Sequence, residues 1–197
     1  MMAAMTLRGH PLRQAAALFA WLSAVAAGFD FGVFTLSMGP WLGNLLQVAG
    51  YLLDVAPIVV WSPQSLRTLP APRVQVVIGG LLVCAAIAGA AAGNLYPAAL
   101  PETVIGFAAT GFCEELAFRG FIWERLRQAG LRAVVVVVVN VALFVAWHLV
   151  SVAAGDTSWS NLIGVAVFGL LFSAVRLWVG NVGFPALLHM AADIAGL

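Results

Sequence analysis

Residues 133–154 run without a single Asp, Glu, Lys or Arg and open on six consecutive valines, Val134 to Val139. In water, such a β-branched run reads as a buried strand. In lipid it has to be helix, because a lone spanning strand leaves its backbone groups unpaired in hydrocarbon. A helix rises 1.5 Å per residue, so about 20 apolar residues cross a hydrocarbon core of about 30 Å. Six further stretches meet that length, at approximately 14–36, 41–61, 74–95, 103–123, 160–177 and 179–197. Gly39-Pro40, Ser62-Pro63, Pro70-Ala71-Pro72 and the Tyr96-Pro97 to Pro101 segment separate several of them, as helix-stopping residues do. The expected fold is therefore all-α: a polytopic integral membrane helical bundle with about seven transmembrane helices.

Composition excludes the main rivals. The 197-residue chain is 63% hydrophobic and 9% charged, whereas soluble domains are roughly 45–50% apolar and about 25% charged. A soluble enzyme and a disordered chain are both ruled out. Nine basic residues, all of them Arg, face eight acidic ones, so no broad positive field exists and no nucleic-acid partner is expected. Two cysteines cannot staple a chain of this length. Cys84 and Cys113 both sit in apolar runs and read as buried free thiols.

The arginines set an orientation. Arg8 and Arg13 precede the first stretch, and Arg67 and Arg73 lie between the second and third. Arg125, Arg127 and Arg132 follow the fourth, and Arg176 closes the sixth. All fall on one side of a seven-span drawing, while the opposite loops hold Glu102 and Asp156. The positive-inside rule then puts the N-terminus in the cytoplasm and the C-terminus outside. A secretory-signal reading of Arg8, Arg13 and Ala24-Val25-Ala26 conflicts with an apolar stretch that runs on past Ala26. Ala, Gly, Val and Arg usage without Lys suits a GC-rich bacterial genome, hence a multi-pass protein of a bacterial inner membrane.

Polar residues inside these stretches are costly, about 2.5–3.5 kcal/mol for a charge at the centre of a span, and mark functional candidates. The fourth stretch holds Glu114, Glu115 and Arg119, the fifth Asn140 and His148, the seventh His189 and Asp193. Asp30, Asn44, Gln47, Asp54 and Asn94 are scattered through the first three, mostly near their ends. Glu115 and Arg119 are one helical turn apart, placed for an ion pair, and so are His189 and Asp193. Glu114 is turned about 100° away from Glu115 and is free for another partner. Carboxylates and imidazoles from three helices can converge on one water or metal ion, the composition hydrolysis calls for. Asn140 reads as interhelical glue. Arg125, Arg127 and Arg132 read as topology determinants, and Phe112, Phe118, Phe121 and Trp123 as packing or lipid-facing residues.

Three motifs carry a resemblance. Glu114-Glu115-Leu-Ala-Phe-Arg119 matches EExxxR, Phe144-Val-Ala-Trp-His148 matches FxxxH, and His189-Met-Ala-Ala-Asp193 matches HxxxN/D. In this order, on successive hydrophobic stretches, they resemble the CPBP intramembrane proteases. That group comprises CAAX-prenyl and bacteriocin-processing (Abi) enzymes related to the eukaryotic type II CAAX endopeptidase. The resemblance covers residues 103–197, a protease core preceded by a three-helix membrane region over residues 1–102. It implies an intramembrane endopeptidase acting on a membrane-associated peptide or protein. Glu114 with His148 would activate the attacking water, His189 and Asp193 would stabilise the oxyanion, and Glu115 and Arg119 would support the site. Asp stands at 193 where the family often has Asn, so an ionised side chain there would repel an oxyanion unless it acts through His189 or a metal.

Glu114, His148 and His189 are also a candidate zinc ligand set. No HExxH pair lies on one helix, and a metal-free water activated by Glu and His is slightly favoured. On these boundaries Glu114 and His189 lie near mid-membrane while His148 lies about 10 Å nearer the outer side. Tilt or an earlier start to the fifth helix has to close that gap. A non-catalytic immunity or assembly factor on the same scaffold is the second reading. A proton-coupled carrier is the third, and it calls for inverted repeats and broken helices that the sequence lacks.

Overall fold

The structure, a computed structural model, describes residues 10–35, 40–62, 66–67, 69–93, 100–155 and 157–196. Arg8, Gly39, Pro63, Asn94, Tyr96, Pro97 and Asp156 lie outside the described residues, as do the side chains of Asp30, Asn44, Gln47 and Glu102. Among the described residues the secondary structure is helical. The helices are α1 (Pro11–Thr35), α2 (Pro40–Trp61), α3 (Arg73–Ala92) and α4 (Leu100–Glu115). A π-helical segment (Leu116–Ile122) continues α4 into α5 (Trp123–Gln128). Then follow α6 (Ala133–Ala154), α7 (Asn161–Val179) and α8 (Gly183–Ala195). With α4, the π segment and α5 counted as one rod, seven rods stand where seven stretches were expected, and the valine run is helical as lipid requires.

Four helices are long and apolar enough to cross a bilayer among the described residues: Pro11–Phe29, Arg73–Ala92, Ala133–Ala154 and Asn161–Val179. Large side chains such as Val60, Val74, Leu81, Val134, Ile163 and Trp178 face outward, forming the apolar girdle of a multi-pass membrane protein. Cys84 departs from expectation. Only Cys113 is buried, and Cys84 is exposed on α3. In lipid an apolar run no longer implies an interior position, because both faces of a helix can be greasy.

The seventh rod also differs from its expected span of 179–197. α7 ends at Gly180, whose φ of +74° is left-handed. The chain then turns, and Asn181 Oδ1 accepts the Phe184 amide at 3.0 Å to satisfy the first turn of α8. Pro185 follows, at a position where its missing N–H costs nothing. The resulting α8 has 13 residues, about 20 Å of helix, which is shorter than the hydrocarbon core. Its last turn and Gly196 line the cavity described below.

The motif-bearing rod lies at the centre. α4 and its π segment pack against α1, α2, α6 and α8, and α8 is flanked by α3, α4 and α7. Every residue of the π segment is buried. Widening the helix to i+5 spacing alters how its carbonyls are used, and two of them receive side chains. The Phe118 carbonyl accepts Asn140 Nδ2 at 2.6 Å, and the Arg119 carbonyl accepts Arg176 Nε at 3.2 Å. Asn140 is thus the interhelical glue its sequence position suggested. Arg125 does more than mark topology: it is buried and donates to Ser62 Oγ at 2.6 Å, tying α5 to the end of α2.

Gly111 sets the spacing of α4 and α8. A Cβ there would sit 2.7 Å from the Met190 amide nitrogen and 3.1 Å from its Cα. Backbone cannot yield as a flexible side chain can, so Gly111→Ala is expected to destabilise the protein by about 1–3 kcal/mol. Gly80→Ala, on α3 with nothing within 4 Å, is expected to be neutral or stabilising. Thermal unfolding of the two variants in detergent tests this, and equal midpoints would contradict the close approach.

Candidate active site

Glu115 is the hub. Its Oε1 forms an ion pair with Arg119 Nη1 at 3.0 Å, one turn along the same rod, and accepts His189 Nδ1 at 3.1 Å from α8. The two members of the Glu115–Arg119 pair are 0% exposed. The guanidinium is further held by donation from Nη2 to the Gly169 carbonyl at 3.1 Å and by the Phe144 ring, whose centroid lies 4.3 Å from Cζ. Gly169 lets α7 come this close, since a Cβ would meet Phe144 at 3.3 Å and Arg119 Nη2 at 3.4 Å. The guanidinium therefore meets a carboxylate, a carbonyl and an aromatic face, as a buried cation needs.

The acceptors fix proton positions. A carboxylate or carbonyl only accepts, so His189 carries a proton on Nδ1, where it meets Glu115. Its Nε2 lies 3.8 Å from Glu114 Oε2 and 3.6 Å from Asp193 Oδ1, too far for a hydrogen bond to either. Phe172 stacks on the imidazole with ring centres 4.8 Å apart. By the same reasoning His148 carries a proton on Nδ1, which donates to the Phe144 carbonyl at 2.9 Å and leaves Nε2 as a bare acceptor.

Glu114, Glu115, Arg119, His189 and Asp193 thus form one continuous cluster drawn from two rods. His148 joins it by a different route. The Phe144 ring touches His148 edge-on at 4.6 Å and lies 6.3 Å from His189. The depth gap expected for His148 is bridged by this ring, although α6 begins where the sequence placed it. His148, His189 and Asp193 also line one cavity of about 390 Å³, walled by Val165, Phe168 and Phe172 and edged by Thr157, Asn161, Gly164, Ala192 and Gly196.

Glu114 lies behind His189 as seen from that cavity, facing a small space lined by Leu22, Tyr51, Asp54, Cys113, Ala117, Phe118 and Trp147. Tyr51 donates its hydroxyl to Glu114 Oε1 at 3.3 Å, while Glu114 Oε2 is buried with no hydrogen-bond partner. Tyr51 and Phe172 went unnoticed in the sequence, because an aromatic residue in an apolar run is unremarkable until its neighbours are known. A second observation, that Asp54 is buried one turn beyond Tyr51, gives that formerly unexplained acid a place near the site.

A catalytic zinc takes three protein ligands at about 2.0–2.2 Å for nitrogen and oxygen. Among the described residues no three His, Cys, Asp or Glu side chains are arranged to hold a metal. His189 Nε2 stands 3.8 Å from the Glu114 oxygen, a separation near that of two ligands on one tetrahedral ion, but no third described side chain completes a set with them. As arranged among the described residues, Glu114, His148 and His189 do not form a closed set of three ligands.

A family model described as type II CAAX prenyl endopeptidase, Rce1-like, matches residues 96–195, a stretch that contains all seven motif side chains. No curated protein matches, and no solved structure does.

Removing Arg119 leaves the Glu115 carboxylate in the interior with one partner fewer. Arg119→Met is expected to cost about 3–5 kcal/mol. Arg119→Lys should recover little, since an ammonium cannot span the carboxylate and the Gly169 carbonyl while stacking on Phe144. Denaturation of the purified variants measures this. A loss under about 1 kcal/mol for Arg119→Met would contradict the buried pair.

Proposed function

Because the chain belongs to the type II CAAX prenyl endopeptidase, Rce1-like family, we propose that it is an intramembrane endopeptidase in which Glu114 and His148 activate a water without a metal. The substrate is a membrane-associated peptide or protein. One observation carries the reading: imidazoles from α6 and α8 line a single cavity, and one of them is anchored to the buried acid pair of α4.

The chemistry follows from the proton positions. His148 Nε2 is the bare nitrogen that faces the cavity and takes the proton of water as its oxygen attacks the peptide carbonyl. Glu114 does not line the cavity, but its Oε2 is an acceptor without a hydrogen-bond partner 3.8 Å from His189 Nε2, so a water entering beside His189 would place its other proton there. The carbonyl oxygen becomes an oxyanion, and His189, acting as the imidazolium with one proton on Nδ1 toward Glu115 and the second on Nε2, donates from Nε2. Collapse breaks the C–N bond, and the proton on His148 passes to the leaving amine. Asp193 Oδ1, 3.6 Å from His189 Nε2 without a hydrogen bond, acts through His189 by stabilising its charged form. Arg119 and Glu115 hold the donor in place. No step is routed through a metal.

The arginine distribution supports a bundle with a cytoplasmic N-terminus in a bacterial inner membrane.

Glu114→Gln, His148→Ala and His189→Ala should each lower cleavage of a membrane-anchored reporter by about 100-fold or more, with membrane insertion and yield unchanged. Retained cleavage in all three would instead support a binding role for the scaffold. Prolonged chelation followed by metal analysis should leave the rate unchanged. A rate lost on chelation and restored by stoichiometric zinc would overturn the metal-free chemistry.

A further inference from the structure

The two ends of the bundle differ in charge. At one end Arg125 binds Ser62, Arg176 pairs with Glu124 at 3.0 Å, and Asn181 bonds Gln75 at 2.7 Å. These contacts gather the end of α2, the start of α3, α5, the end of α7 and the start of α8. Arg13, Arg67, Arg73, Arg127 and Arg132 belong to the same end by their places in the chain. This end is also closed: at Gly183 the backbone passes so near the Leu69 carbonyl that a Cβ would collide with it.

The cavity opens at the other end. Thr157 and Asn161, at the α6–α7 connection, and Gly196, after α8, line it there, and the exposure of Asn161 and Gly196 marks this as its rim. Asn161 and Arg176 are 15 residues apart on α7, about 22 Å along the helix. Trp159 and Trp178, 72% and 83% exposed, stand at the two ends of the same helix. They are 19 residues apart, about 28 Å, close to the thickness of the hydrocarbon core. Exposed tryptophans settle at membrane–water interfaces, so they mark both levels. The rim lies beside Trp159 and carries no arginine, and Arg176 lies beside Trp178. His189 and Asp193 line the same cavity as Thr157 and Asn161, whereas the arginine end is closed.

Cytoplasmic loops are the ones that collect arginine. We propose that the cavity opens on the non-cytoplasmic face of the membrane, and that it takes a membrane-anchored peptide or protein whose cleavable segment is presented from that side. The identity of the occupant as a substrate rests on the protease reading; the side from which it enters does not.

Single cysteines test the side directly, in a background with Cys84→Ala and Cys113→Ala. Ser158→Cys and Asn161→Cys report the rim, and Gln128→Cys reports the arginine end. Intact spheroplasts are treated with a membrane-impermeant maleimide before or after permeabilisation. The expected result is at least tenfold more labelling of the two rim positions than of Gln128→Cys before permeabilisation, and full labelling of Gln128→Cys only afterwards. The reverse pattern would overturn the proposal. Labelling needs no catalysis, so an inactive protein with an outward rim would sink the protease reading alone. An active protein with an inward rim would sink this proposal alone.

Discussion

A carboxylate with no solvent around it, that of Glu115, joins the two halves of the site. Burying an ion costs several kcal/mol even after relaxation, and Glu115 offsets that cost by pairing with Arg119 on its own rod and accepting His189 from another. The same contacts lock the imidazole on α8 to the acid pair on α4 and fix which nitrogen carries the proton. Arg119 in turn reaches α7 through the Gly169 carbonyl and α6 through the Phe144 ring. Four rods are thereby set around one charged group, and the geometry of every other site residue follows from theirs.

The backbone makes room for this arrangement. Gly111 allows α4 and α8 to approach at backbone distance, and Gly169 admits α7 to the guanidinium. The π segment frees acceptor capacity at Phe118 and Arg119, which Asn140 and Arg176 use. Aromatic rings do the rest of the positioning: Phe144 sits between the two imidazoles, and Phe172 stacks on His189. The cavity that His148, His189 and Asp193 share is walled by α6, α7 and α8. An intramembrane hydrolase needs such an opening, since lipid supplies no water.

The helical rods were legible in the sequence because hydrocarbon leaves few options for a 20-residue apolar run. The i,i+4 spacing likewise foretold the Glu115–Arg119 pair, and His189 and Asp193 do face each other at 3.6 Å. What escaped depends on packing or on local backbone choice. Hydropathy could not separate the lipid-facing Cys84 from the buried Cys113, because both environments are apolar. It extended the last span to 179–197, whereas the Gly180 turn and the Asn181 cap start α8 at residue 183. A π turn has no marked sequence signature, so the fourth stretch read as uniform helix. Tyr51 lies outside residues 96–195 and far along the chain from Glu114, and only three-dimensional contact shows that the N-terminal helices supply a partner to the site.

The most direct measurement of the central claim is a double-mutant cycle on unfolding free energy with Glu115→Gln, His189→Gln and the combined variant. A shared buried contact predicts that the two changes are non-additive by about 1–3 kcal/mol. Additivity within about 0.5 kcal/mol would mean that the carboxylate of α4 and the imidazole of α8 do not meet, and the account of the site would be wrong at its root.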